Sequence, residues 1–185
     1  MLFFSYIICR RLFFIKFKYS ISVGKYYYGG EIMIVQWDES LSVNNPVLDE
    51  QHRQFIKLIN DLDDVSSGHN KDVGKKVIVA VDFLEEYAKK HFAYEESYFI
   101  EHNFPEAREH QEYHNVFIQT IMQMRKQLDM NGVTVELAND ISKFTADWLI
   151  MHVRGVDHRY QVFIDTGKLP SRVEHKHFVN KWKKR

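Results

Sequence analysis

The sequence predicts an all-α protein, an up-down-up-down four-helix bundle preceded by an extended arm. Apolar residues recur at spacings of three and four along four separate stretches, as in helices that bury one face. Short segments containing Gly, Asn or Pro separate these stretches, which favours antiparallel packing of successive helices. With 45% hydrophobic and 27% charged residues, the 185-residue chain has the composition of a globular domain large enough to bury a core.

The predicted helices run from about residue 46 to 65, from the turn at 66–70 to about 102, from 105 to 130, and from 134 to 164. Asn45 and Pro46 indicate the first start, and Asn131 and Gly132 the end of the third helix. Residues 33–45 show no sustained period. We therefore expect an extended arm there, with Trp37 packed on the bundle.

The first 32 residues differ from the rest of the chain, because they are rich in aromatic residues. Arg10 and Arg11 interrupt their apolar runs well short of the roughly 20 residues of a membrane span, and also lie in the wrong place for a signal peptide. We expect translation to begin at Met33. The codons for Gly29, Gly30 and Glu31 can form a purine-rich sequence, as in a ribosome-binding site, at a suitable distance before it. The bundle is then predicted over 33–170, and a basic, solvated tail over 171–185.

The formal net charge of zero argues against a nucleic-acid or membrane partner. Cys9 is the only cysteine, which excludes a disulfide scaffold and a thiolate zinc site. We predict a cytoplasmic monomer.

The strongest chemical signal is a set of histidines and carboxylates at helical spacing. His91 precedes Glu95 by four residues and His110 precedes His114 by four, so each pair shares one face of its helix. A charged Glu95 on an apolar stripe is costly unless it is paired or bound to a metal. The candidate metal ligands are His52, His91, Glu95, His110, His114, His152 and Asp157.

Five imidazoles and two carboxylates are too many for one ion, so we predict a dinuclear centre with bridging carboxylates. This mixture of ligands favours iron over calcium or magnesium, with manganese and zinc as alternatives. His152 and Asp157 are five residues apart, which is about 140° around an ideal helix. Either the helix bulges locally, at a cost that Gly155 would lower, or Asp157 reaches sideways to bridge.

Other readings of these residues are weaker. The histidines could be scattered core and surface residues, but several ligand-type pairs on different apolar stripes make coincidence a poor explanation. No HExxH motif is present, and the only Glu-x-x-His pair, Glu174 with His177, lies in the tail rather than on a core helix. Neither a phosphate-binding Gly-rich loop nor a nucleophile elbow occurs.

From Trp37 to about Pro170 the chain resembles a bacterial hemerythrin. The resemblance rests on WDESLSVNNPVLDEQH leading into His52, and on the three spaced pairs that follow. It implies two iron ions (Fe2+/Fe3+), a bridging oxo or hydroxo group, and an open position where family members bind dioxygen reversibly. In the implied ligand set, one iron is held by His110, His114 and His152, the other by His52 and His91, and both by Glu95 and Asp157.

We accordingly predict reversible dioxygen binding, for storage, delivery or sensing, and no enzymatic activity. Five neutral imidazoles leave the site less negative than carboxylate-rich di-iron sites, which favours release of intact oxygen. A di-iron oxidase, peroxidase or nitric-oxide-handling enzyme with the same ligands is the alternative, and a sensory module is a third. Phe55 and Leu149, each three residues from a ligand, are predicted to wall the oxygen pocket, although simple core packing explains them equally well.

Overall fold

The computed structural model describes residues 35–66 and 73–171 of the chain. Its described part contains helices and connecting segments but no strand. A six-residue π-helical turn, His152–Asp157, joins the last two helices without a break. The α-helices are α1 Pro46–Ser66, α2 Val73–Glu101, α3 Ala107–Asn131, α4 Val135–Met151 and α5 His158–Thr166, and a short 3-10 turn, Glu39–Leu41, lies in the arm.

The four long helices form a closed ring in which each one packs on two neighbours: α1 on α2 and α4, and α3 on α2 and α4. Neighbours run in opposite directions. Between α1 and α2, Gln51 faces His91, and one turn further Phe55 faces Tyr87. The same reversal relates α2 to α3, α3 to α4 with its π turn, and α1 to α4 with its π turn. This arrangement confirms the predicted up-down-up-down bundle.

Helix ends follow local sequence signals. The Asn45 side-chain oxygen accepts hydrogen bonds from the backbone N–H groups of Val47 and Leu48, at 3.0 and 3.3 Å, and so caps α1. At the other end of the bundle, Gly132 has a φ of 70° and its N–H donates to the carbonyl of Leu128 at 2.8 Å. A residue with a side chain rarely adopts this φ, which explains why glycine closes α3.

The third helix begins at Ala107, two residues later than the prediction of Pro105. Asn103 adopts a left-handed conformation with φ 52°, and the N–H of Phe104 donates to the carbonyl of Phe99 at 2.9 Å. This pattern ends α2 and leaves the next two residues in the turn. Proline therefore lies just before the helix rather than at its first position.

The arm runs along α1 in the opposite direction. Val35 exchanges two hydrogen bonds of 2.9 Å with the side-chain amide of Asn60. Further along, the Asp49 carboxylate accepts from the backbone N–H of Val43 at 2.8 Å. Because Val35, Leu41 and Val43 are buried, the arm belongs to the core.

Trp37 packs on the bundle as predicted. Its ring is partly buried against the core, and the guanidinium of Arg53 on α1 lies 4.1 Å from the ring centroid. Such cation–π contacts typically contribute about 0.5–1 kcal/mol at exposed sites. The arm is therefore attached to α1 by backbone, amide and ring contacts.

Several predictions concern residues outside the described ranges. They include the atypical first 32 residues, translation from Met33, most of the first turn, and the basic tail beyond residue 171. Over the described ranges, no helix combines the length and apolar character needed to cross a membrane.

Candidate metal centre

All seven predicted ligand side chains meet inside the bundle, towards one end. α2 and α3 contribute two each, α1 contributes one, and the π turn contributes two. They are His52, His91, Glu95, His110, His114, His152 and Asp157, and none is more than 3% exposed. Burying this many ionisable groups without a compensating charge would be very costly.

Three histidines form one group. The Nε2 atom of His152 lies 3.2 Å from Nε2 of His110 and 3.2 Å from Nε2 of His114. Glu95 completes this group, because its Oε2 atom is 3.0 Å from Nε2 of His114. One ligand-type atom from each of these four residues lies within 4.8 Å of the others, as metal coordination requires.

The remaining two histidines, His52 and His91, form a second group. Their ring centroids are 5.0 Å apart. Glu95 reaches this group as well, since its Oε2 atom is 3.9 Å from Nε2 of His91. Glu95 therefore lies between the two groups.

Asp157 also lies between the groups, and it uses a different oxygen for each. Its Oδ1 atom is 3.1 Å from Nε2 of His110 and 3.0 Å from Nε2 of His152. Its Oδ2 atom is 3.4 Å from Nε2 of His52. A carboxylate with one oxygen on each side has the arrangement of a bridging ligand.

The π turn brings His152 and Asp157 to the same side of the helix. They are its first and last residues, and hydrogen bonding over five residues widens the turn. Of the two alternatives left open by the sequence, the local bulge is the one that occurs. Gly155 lies within the turn and is buried.

The polar atoms of this cluster lack ordinary partners. Within the described ranges, both oxygens of Glu95, both of Asp157 and the Nε2 atoms of His52 and His91 are buried without a hydrogen bond of good geometry. Unpaired buried polar groups are rare in folded proteins and usually indicate a missing ion or water. Imidazole nitrogens with carboxylate oxygens suit iron, manganese or zinc. The residues therefore fit a resident metal.

Protonation in the metal-free cluster reflects burial and neighbouring charge. Burial lowers the pKa of His91 to about 3, despite the nearby Glu95 carboxylate, so this ring is neutral and able to bind a metal. Burial would raise the pKa of Glu95, but the positive charge of His110 and the close approach of neighbouring imidazole nitrogens hold it well below its usual range. Glu95 is therefore an anion.

A family model described as the hemerythrin HHE cation binding domain matches residues 44–163, more than half of the chain. The chain belongs to the hemerythrin family. The matched region runs from the residue before the α1 cap into α5, and so contains all seven clustered side chains.

Named hemerythrins are similar over the same part of the chain. The bacteriohemerythrin of Stenotrophomonas maltophilia is 27% identical over 127 residues, 69% of this chain and 79% of the relative. The hemerythrin-like protein of Naegleria gruberi is 30% identical over 125 residues, 68% and 89% of the two chains. The myohemerythrin of Theromyzon tessulatum is 28% identical over 126 residues, 68% and 90%. The resemblance inferred from the motifs is confirmed, and none of these three names is that of an enzyme.

Aromatic rings stack on two of the clustered imidazoles of this hemerythrin-family protein. Phe92 stacks on His114 with centroids 3.8 Å apart and planes at 7°, and Trp148 stacks on His152 at 4.1 Å and 16°. Sequence reasoning did not assign these roles. Phe92 directly follows a candidate ligand and Trp148 lies four residues before one, but only the packing shows which ring each one covers.

Two polar side chains that the sequence analysis missed contact the outer nitrogens of the cluster. Nδ1 of His91 lies 2.8 Å from Oε1 of Gln51, and Nδ1 of His114 lies 3.0 Å from Oε1 of Glu96. Both partners sit on the neighbouring helix. Each is next to a candidate ligand in the sequence, but its contact is with a histidine on another helix, so spacing along the chain could not reveal it.

The predicted oxygen-pocket residues are both fully buried near the cluster. The Phe55 ring lies 4.6 Å from that of Tyr87, which in turn stacks on His91 at 4.5 Å. The backbone carbonyl of Leu149 accepts a hydrogen bond from the N–H of His152. Their role in a pocket remains a prediction.

Proposed function

We propose that this protein binds dioxygen reversibly at a pair of iron ions. One ion is assigned to the three-histidine group and the other to the two-histidine group, with Glu95 and Asp157 shared between them. We further propose that the second ion keeps the open position, because its group supplies one imidazole fewer. The proposal rests on family membership together with the donor set.

The observation that carries the proposal is the position of the two carboxylates. Glu95 and Asp157 each lie within 4 Å of imidazole nitrogens from both groups. A single ion would need only one cluster of donors. Two carboxylates between two clusters support a dinuclear centre, in which shared anions offset the charge of both metals.

When bound, the iron pair supplies the electrons that reversible dioxygen binding requires. The surrounding residues favour binding over further oxidation chemistry in two ways. Neutral imidazoles outnumber carboxylates, which stabilises the reduced metals. Apolar side chains, including Phe55 and Leu149, keep water from the cluster. They thereby hinder the protonation that would release the oxygen as hydrogen peroxide.

The decisive experiment is a visible spectrum of the iron-loaded protein recorded as oxygen is added and then removed, with iron measured by elemental analysis. We expect two irons per chain and an absorption band that appears with oxygen and disappears on its removal. A band that does not reverse, together with turnover of a reducing substrate, would favour the di-iron enzyme. A single metal per chain would contradict the dinuclear centre.

A further inference from the structure

The outer nitrogens of the five clustered histidines are not treated alike. Among the described residues, only His91 and His114 have a side-chain partner at Nδ1. The partner of His91 is a neutral amide, Gln51, whereas that of His114 is a carboxylate, Glu96. His114 belongs to the three-histidine group and His91 to the two-histidine group. One group therefore has a charged outer partner and the other a neutral one.

Glu96 is held in place on both of its oxygens. Oε1 lies 3.0 Å from Nδ1 of His114, and Oε2 accepts a hydrogen bond of 2.8 Å from the side-chain amide of Gln111. Each oxygen thus lies against an N–H donor, which is the environment that suits an ionised carboxylate. The partner of His114 is therefore an anion at neutral pH.

The hydrogen bonds of His91 with Gln51 and of His114 with Glu96 also fix which nitrogen of each ring faces the cluster. Because the Gln51 and Glu96 oxygens can only accept, Nδ1 of each histidine carries the proton. Nε2 is then left with its lone pair, and Nε2 is the atom that lies near Glu95 in both cases. The geometry thus prepares both rings for a metal but gives them different outer partners.

A carboxylate and an amide affect a metal-bound imidazole differently. The anion draws the Nδ1 proton towards itself, makes the ring more basic and stabilises a more highly charged metal. The amide fixes the ring orientation with a weaker, neutral hydrogen bond. The His114 imidazole would therefore donate more electron density to a bound metal than the His91 imidazole.

We propose that Glu96 is a positioning residue that makes the metal pair electronically unequal, favouring the ferric state of the iron bound by His114. The iron bound by His52 and His91 is then the more easily reduced of the two. This inference rests on the proposed iron centre, but it concerns residues that are not themselves ligands.

The test compares the iron-loaded full chain with its Glu96→Gln variant, which keeps an oxygen acceptor and removes the charge. We expect the midpoint potential of the iron pair, measured by spectroelectrochemical titration, to rise. The equilibrium constant for reduction should increase about tenfold, the difference typical of charged and neutral hydrogen bonds. Glu112→Gln is the matched control, because Glu112 is an exposed residue on α3, the helix that carries His114, and its replacement removes the same charge.

A mirror variant keeps the test decisive if Glu96→Gln fails to retain iron. Gln51→Glu gives His91 a carboxylate partner, and the midpoint potential should fall. Equal potentials for Glu96→Gln and Glu112→Gln, or no fall in Gln51→Glu, would overturn the inference while leaving the iron centre intact. A wild-type chain that holds no iron pair would instead overturn the proposed function, and this inference with it.

Discussion

Arg154 in the π turn and Asp38 in the arm form an ion pair between segments 116 residues apart, with Nη2 of the arginine 3.2 Å from Oδ2 of the aspartate. The same Nη2 atom lies 2.7 Å from the hydroxyl of Ser40, and Asp38 also accepts from the Ser40 backbone N–H at 2.7 Å. The arm is thereby fastened to the turn that carries His152 and Asp157.

Replacing Arg154 by Ala should loosen both the arm and the π turn. We expect the free energy of unfolding to fall by about 1–2 kcal/mol, because hydrogen bonds to charged groups contribute about 1.5–3 kcal/mol and partial exposure weakens this pair. Urea denaturation of the metal-free protein measures this. The control is Lys57→Ala, whose ammonium pairs only at 3.8 Å with Asp61 on the exposed face of α1. Equal loss in both variants would show that the arm contact adds no stability.

Removing one clustered side chain should lower the iron content. In His110→Ala and Glu95→Ala we expect fewer than two irons per chain, because a donor is lost and the remaining buried charges are less well compensated. Elemental analysis after growth in iron-rich medium provides the measurement. His102→Ala is the control, since Nδ1 of this partly buried histidine contacts the Tyr98 carbonyl at 2.9 Å and the residue lies outside the cluster. Unchanged iron content in Glu95→Ala would contradict the assigned role.

Leu149 should protect the oxygen-binding state. Leu149→Ala is expected to destabilise the protein by about 2–5 kcal/mol, as is usual for this change in a core. Because the cavity lies next to His152 and admits water, autoxidation followed by visible absorption should also accelerate. Ile141→Ala, equally buried but farther from the cluster on the same helix, should destabilise the protein without accelerating autoxidation. Equal autoxidation rates would identify Leu149 as ordinary core.

Stability of the metal-free protein should fall as the pH rises above 6.5. Burial would lower the pKa of His110, but Glu95 and Asp157 together raise it from 6.5 to about 9. The folded protein thus binds this proton more tightly than the unfolded chain does. The resulting stabilisation is complete below pH 6.5 and is lost as the pH rises through about 9.

Urea denaturation at pH 6, 7.5 and 9 provides the measurement for His110. We expect the fall in the free energy of unfolding to be smaller in His110→Asn, which has no proton to lose. It should also be smaller in the metal-loaded protein, where the metal replaces the proton. A pH dependence unchanged in His110→Asn would assign the effect to another group.

The bundle and the candidate ligands were predictable because they depend on spacing within single helices. His91 and Glu95 share a face through the helical repeat alone, whatever packs against them. The start of α1 was predictable for a similar reason, since Asn45 caps it and Pro46 suits a first turn. These features need no knowledge of how the helices meet.

Features that depend on contacts between helices were not predictable. The pairing of Glu96 with His114, and the stacking of Phe92 on the same ring, follow from how α2 and α3 are rotated against each other. The sequence left the geometry between His152 and Asp157 undecided, because either a bulge or a reaching side chain satisfies a five-residue spacing. Only the folded backbone distinguishes them.

The π turn also shifts the phase of everything that follows it. One extra residue rotates α5 by about 100° relative to an uninterrupted α4, which is the angle per residue of an α-helix. That rotation brings Tyr160 into the core and aims Arg159 at the Glu106 carboxylate, with bonds of 2.8 and 2.9 Å. An insertion or deletion between His152 and Asp157 would therefore disturb both the metal cluster and the ion pair between Arg159 and Glu106.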